Sequence, residues 1–338
     1  MQFELPVQRF ILSFHAPARR TPPAFAGNAW RGAFGHALRA AACLTGAAQC
    51  AGCARTAQCA YAYVFETPPP ADATAMRLYP NAPHPFVLRE LPSPAGTDAQ
   101  LMLTVIGRAQ RLLPLLIEAL RQAAVGPHGI AGQRLELCAI RQESLLGQGD
   151  WRRIDGEGGS ITALPAELCR VPAARAGGLR LQSITPLRVK KEGRSVTAAS
   201  LGFGDVFGAL MRRISMLCSF HGGAPLQAPF AELAAQSRQV RVRSQWLPVP
   251  QQRFSNRQHR AMPMDGLTGW MEIDAADAAP FWPFLWLGQY VHAGSAATMG
   301  LGCYEIVPTR FDALALQPAS LPVQPEQTAS LPSVPQHA

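Results

Sequence analysis

Apolar positions along this chain change period several times, and the changes mark out its elements. Phe3, Leu5 and Val7 alternate with polar residues, and Phe10 to Phe14 continue the run, which predicts a strand entering a core. Between 29 and 42 the period becomes helical. Trp30, Ala33, Phe34, Ala37 and Leu38 form one face, and Asn28 is placed to cap the helix. Residues 86–91 and 100–106 predict two strands, 109–124 an amphipathic helix rich in leucine, and 134–140 an alternating strand. Strand, helix, strand, strand, helix, strand is the order of a ferredoxin-like domain.

The second half repeats that order. Residues 179–187 alternate, and 203–220 carry Phe203, Val206, Phe207, Leu210, Ile214 and Leu217 on one helical face. Strands follow at 239–246 and 267–273, then a helix at 278–291 and a last strand at 301–307. Residues 147–178 are rich in Gly, Ala and Pro and predict a boundary. The expected class is α+β, with tandem ferredoxin-like domains at 1–145 and 179–310, a linker at 146–178, and a Pro, Gln and Ser-rich disordered tail at 318–338.

A cysteine cluster interrupts the first domain. Cys43, Cys50, Cys53 and Cys59 crowd into one segment, 43–63, that ends in Tyr61 and Tyr63. No export signal precedes them, so metal ligation is expected over disulfides. Cys50 and Cys53 have a chelating spacing, because two thiolates on one tight turn reach the same tetrahedral ion. Structural zinc is the favoured occupant, a four-iron cluster the alternative, and four unligated thiols the third reading. Four thiolates leave no open position, so no catalytic metal is expected.

Charge then narrows the partner. The 338 residues carry a net charge of +9, which favours an anionic partner such as nucleic acid or a membrane surface. No run is long and apolar enough for a membrane span, and no signal peptide is visible. The basic count is almost all arginine, and the only lysines, Lys190 and Lys191, sit with Arg194 in one short basic turn. That turn is either a solvated hairpin tip or an edge that contacts phosphate. Arg253, Arg257, His259 and Arg260 with Phe254 suit RNA backbone contact and base stacking, as well as an ordinary solvated loop.

Two further stretches carry candidate chemistry. His36 lies on the first helix beside Arg31 and Arg39, which reads either as a histidine at the edge of a packed helix or as a general acid or base flanked by phosphate-holding arginines. From His292 to Glu305 a loop holds Gly294, Gly300 and Gly302 among small residues. Such a loop serves as a tight helix-to-strand connection or as a phosphate cradle of backbone N–H groups. His221, before two glycines, reads as a helix C-terminus.

Taken together, several stretches resemble the CRISPR-associated endoribonucleases of the RAMP superfamily, which process precursor CRISPR RNA. They are 30–39, the Cys module ending in Tyr63-Val-Phe-Glu66, Ile184 to Lys190, Ser255 to Gln258 with Met264 to Leu267, and Gly294 to Gly302. The resemblance runs from Met1 to about Pro308. It implies RNA-recognition-like domains, a cytoplasmic enzyme, and CRISPR repeat RNA as partner, with subunits of an effector complex as further partners. It implies metal-independent attack of a ribose 2′-hydroxyl on the adjacent phosphate, leaving 2′,3′-cyclic phosphate and 5′-hydroxyl ends. Under it, His36 is the acid or base, Arg31 or Arg39 steadies charge, Tyr61 is a further candidate partner, and His259 and His292 are reserves. RNA contacts fall to Lys190, Lys191, Arg194, Arg253, Arg257, His292 and the loop at Gly294, Gly300 and Gly302. The loop departs from the family pattern at Ser295, where a basic residue is common. Backbone N–H groups and the hydroxyls of Ser295 and Thr298 are therefore expected to do more of the binding. The other reading is a non-catalytic RNA-binding subunit of the same fold.

Overall fold

A computed structural model describes residues 3–17, 25–67, 82–92, 98–174, 177–255 and 260–309. Arg257, His259 and the tail lie outside them. In the first unit, β1 (Val7–His15) leads to α1 (Gly27–Ala42), then to the Cys segment and a π-helical turn at Ala62–Glu66. β2 (Phe86–Leu91), β3 (Asp98–Ile106), α2 (Leu113–Val125), β4 (Glu136–Glu143) and β5 (Trp151–Arg153) complete it. The sheet order is β2-β3-β1-β4-β5 with antiparallel neighbours, which is the ferredoxin-like order with one strand added at the edge. β5 falls inside the stretch expected to be linker.

The second unit starts at β6 (Gly178–Ser183) and a small hairpin, β7 (Lys190–Lys191) with β8 (Arg194–Ser195). α3 (Phe203–His221) and α4 (Phe230–Ser237) follow, then β9 (Arg243–Val249). Next come β10 (Gln252–Ser255), β11 (Arg260–Pro263), β12 (Gly266–Ile273), α5 (Ala275–Ala278), α6 (Trp282–Val291) and β13 (Tyr304–Thr309). Its main sheet runs β13-β6-β12-β9, again antiparallel and ferredoxin-like. The fold is therefore α+β with two such units, as the order of elements predicts. α4 and the β10–β11 hairpin were not expected. Residues 252–255 and 260–263 pair as this hairpin, at either end of the basic stretch.

Local chemistry explains the shifted boundaries. The helix expected from 109 starts at Leu113, and 107–112 wind as a tighter 3-10 turn. Pro114 lacks an N–H and so suits the first turn of an α-helix, not its interior. The lead-in to β1 behaves differently from its alternation. Phe3 and Leu5 precede the strand and are fully buried in the core of the second unit, where Phe3 meets Phe284 edge-on at 5.7 Å. Phe10, Leu12 and Phe14 of the same run pack in the other core with Trp30, Phe34 and Leu38. One continuous apolar run thus serves two cores and ties the units together.

Candidate RNA-processing site

α1 is positioned by its buried face. Trp30 is fully buried, and its indole N–H donates to Glu90 on β2 at 2.8 Å, which gives the one polar atom of that ring a partner. The opposite side of α1 leaves His36 exposed to solvent. Arg31 turns toward the protein. Its Nη2 donates to His84 Nε2 at 3.1 Å, and its guanidinium covers the Phe65 ring at 5.3 Å. Arg39 donates through Nη2 to the carbonyls of Ala47 and Ala48 and lies over the Tyr61 ring at 5.8 Å. The expectation of two arginines clamping a phosphate beside His36 is revised: both hold protein partners, and Arg39 fastens the Cys segment. Tyr61 stacks on Phe65 at 5.4 Å, and burial, then Glu66, raises its pKa, so it keeps its phenol proton.

Sequence reasoning missed His84. It lies 53 positions from Arg31, so no local pattern links them. Burial first, and the Arg31 charge second, push its pKa down to about 3. It is a neutral ring whose Nε2 accepts from Arg31.

The glycine loop is packed against protein on both sides. Gly294 has φ +78, and a side chain there would stand 2.4 Å from the Arg188 carbonyl. At Gly302, φ +71, it would stand 1.8 Å from the Ala293 carbonyl. Gly300 faces Leu88 and Arg89 of β2, and Gly27 of α1 faces the Met299 carbonyl. The loop is therefore a joint between the two units, and glycine is required by close backbone approach. The N–H groups of Ser295, Met299, Gly300 and Gly302 donate to Arg188, Ala296, Ala297 and Pro186, so these four are not aimed at an outside phosphate. Ser295 Oγ also donates to the Arg188 carbonyl, at 3.0 Å, and Thr298 is buried.

His292 requires a correction. It was expected to touch RNA, yet it is buried, with Nδ1 3.1 Å from the Leu301 carbonyl. Burial first, then Arg89 and Arg213, push its pKa to about 3. As placed, it is a structural neutral histidine. His221, expected at a helix end, is the last residue of α3 and is also buried, with a pKa of about 4 set mainly by burial.

The basic turn does reach the loop. Lys190, Lys191 and Arg194 are exposed on the β7–β8 hairpin, and Arg188 at its base forms a parallel bridge with Gly294. Lys191 stands 3.8 Å from Asp205, an exposed lysine with a weak ion pair. Arg253 lies on β10. A cleft lined by Gly27, Arg89, Glu90, Thr185 and Gly300 lies beside this joint.

The four cysteines line one pocket at the end of α1 and are all free thiols. Backbone N–H groups of Thr45 and Gly46 lower the Cys43 pKa, and those of Arg55, with the Thr45 hydroxyl, lower that of Cys53. Burial raises that of Cys50. Among the described residues no three His, Cys, Asp or Glu side chains are gathered closely enough to hold an ion as they stand. No described helix is long and apolar enough to cross a membrane.

Comparison with known proteins completes the picture. Residues 181–304 match the model of the CRISPR-associated endoribonuclease Cas6. The match lies within the second unit. Residues 5–165 match a separate model described as an N-terminal domain, AF_1859_N. Over the whole chain, a Cas6 product complex superposes with TM-score 0.52 at 14% identity, covering 89% of this chain and 100% of that one. Cas6 of Thermus thermophilus gives 0.49 at 14% identity, covering 90% and 99%. A RAMP protein binding different RNA substrates gives 0.44 at 9% identity, covering 89% and 99%. A search of curated proteins finds no match. The first superposition supports the two-unit fold, and the match at 181–304 agrees with the resemblance read from the sequence.

Proposed function

We propose that this chain cuts precursor CRISPR RNA within its repeats, without a metal ion in the reaction. The match of 181–304 to the Cas6 endoribonuclease family carries the reading. A ribose 2′-hydroxyl attacks the adjacent phosphate, and the strand ends as a 2′,3′-cyclic phosphate and a 5′-hydroxyl. The step needs a group to take the 2′-hydroxyl proton, a group to protonate the leaving oxygen, and positive charge near the phosphorane. His36, exposed on α1, serves as acid or base. Lys190, Lys191 and Arg194 hold backbone phosphates from the hairpin tied to the glycine loop. Tyr61, with its raised pKa, is suited only to donate a proton. Arg253 and Arg257 are further candidates for RNA contact. Repeat RNA in the cytoplasm is the substrate, and other CRISPR-associated proteins are the partners.

The test is cleavage of the cognate repeat RNA in EDTA by the wild type and by His36→Ala. The wild type is expected to leave a cyclic phosphate end, and the variant to bind RNA without cutting it. Full cleavage by the variant removes His36 from the mechanism. A wild type that binds the repeat and never cuts it is the non-catalytic subunit of an effector complex instead.

A further inference from the structure

Residues 43–59 hold a defined shape with no core of their own. No side chain from Cys43 to Cys59 is buried, and Leu44 is 78% exposed. Ordering such a segment costs backbone entropy that apolar burial here does not offset. Segments of this kind are held by a disulfide or a metal ion, and the thiols are free.

Turns and hydroxyl contacts order the backbone around the thiols. The Cys53 N–H donates to the Cys50 carbonyl at 3.1 Å, closing a tight turn in which Gly52 takes φ +76. Thr56 Oγ1 donates to both cysteine carbonyls, at 3.0 and 2.7 Å, and fixes that turn. The other arm begins at Cys43, where α1 ends. Thr45 Oγ1 stands 3.9 Å from the Cys43 sulfur and 3.7 Å from the Cys53 sulfur, so one hydroxyl spans the two arms. Cys59 accepts from the Tyr63 N–H at 2.9 Å and closes the segment. All four cysteines line the same pocket. Arg39, anchored to the carbonyls of Ala47 and Ala48, and Arg55, in the pocket wall, offset the negative charge of four thiolates around one dication.

We propose that Cys43, Cys50, Cys53 and Cys59 bind one tetrahedral zinc-class cation, closing a module that fastens the end of α1 to the end of α3. The fastening follows from the exit of the segment. Tyr61 lies under Arg39 of α1, and Tyr63 reaches His221 of α3. The solvent-exposed pocket suits a small closed ion with thiolate ligands. The inference stands on the cysteine segment and is independent of whether the chain cuts RNA.

The test is elemental analysis and zinc titration of the full-length protein, read with hydrogen exchange at residues 61–66. The expected result is one zinc per chain. Chelation should speed exchange at 61–66, and added zinc should restore it. The Cys50→Ser/Cys53→Ser variant should lose the metal, and Cys53→His should keep it. If the serine variant does not fold, chelation and zinc return on the wild type give the same reading. Protein that carries no metal and takes up no zinc overturns the proposal. So does iron with visible absorbance, metal retained in the serine variant, or exchange at 61–66 that ignores zinc.

Discussion

The Tyr63 hydroxyl stands 3.0 Å from Nδ1 of His221, while Nε2 of the same ring stands 2.7 Å from the Pro83 carbonyl. A carbonyl only accepts, so Nε2 carries the proton and Nδ1 accepts from the phenol. Burial lowers the His221 pKa to about 4, which keeps the ring neutral in this role. One imidazole therefore joins the end of α3, the exit of the Cys segment and the chain before β2.

Removing the phenol oxygen isolates that joint. Tyr63→Phe leaves a buried acceptor without its donor, which costs about 1–3 kcal/mol. His221→Ala also strands the Pro83 carbonyl and opens a void, so it should cost more. In urea unfolding the double variant is expected to cost less than the two singles summed, because each breaks the same bond. Strict additivity would mean the two side chains do not interact in solution.

Acid should weaken the fold through three buried histidines. Their folded pKa values are depressed from 6.5 to about 3 for His84, about 4 for His221 and about 3 for His292. Above the unfolded value both states are neutral and nothing is lost. As pH falls below about 6.5 the unfolded chain binds protons that the folded chain refuses, so stability drops until the folded pKa values are reached. Each histidine adds up to about 1.4 kcal/mol per pH unit across that window. Urea melts from pH 7 to pH 4.5 measure the slope, and His221→Gln should reduce it by about one proton. An unchanged slope would show that His221 is charged when folded.

The sequence carried the order of elements because each half alternates apolar and polar residues with the period of its element. It did not carry which core a residue enters. Phe3 and Phe10 belong to one apolar run, yet they pack in different units, a choice set only when the units meet. Charge was legible and its partner was not. Arg39 looks available beside His36, but the segment that follows the helix places two carbonyls within its reach. His292 precedes the glycine loop and was expected to touch RNA. Its own φ of +64 instead turns the chain so that the ring is buried. The Arg31–His84 pair spans 53 residues and leaves no trace in local pattern.

The glycines of the joint should rank by clash. A methyl at Gly302 would stand 1.8 Å from a backbone carbonyl, and one at Gly300 would stand 2.7 Å from the Leu88 carbonyl. Both positions also lie in the left-handed region, where a side chain costs roughly 1–2 kcal/mol by itself. Gly302→Ala should therefore destabilise more than Gly300→Ala, and both more than Gly132→Ala, where φ is +83 but nothing lies within 4 Å. Chemical unfolding of the three variants gives the ranking. Equal losses would reduce the effect to backbone strain alone.

The hairpin prediction concerns binding and leaves the fold untouched. Lys190, Lys191 and Arg194 are exposed, and among the described residues the one ion pair they make, Lys191 with Asp205, spans 3.8 Å at the surface. Replacing all three with alanine should change stability by less than about 0.5 kcal/mol per site. Phosphate contacts behave differently, because each one releases condensed counterions when RNA binds. For single-stranded RNA the slope of log affinity against log salt should fall in magnitude by about 0.7 for every contact removed. Three contacts would lower it by about 2, and affinity would drop alike for cognate and unrelated RNA, since phosphates carry no sequence. Fluorescence anisotropy across a salt series reads both quantities. A triple variant with the wild-type slope would take the hairpin out of the RNA path and leave Arg253 and Arg257 to supply the contacts.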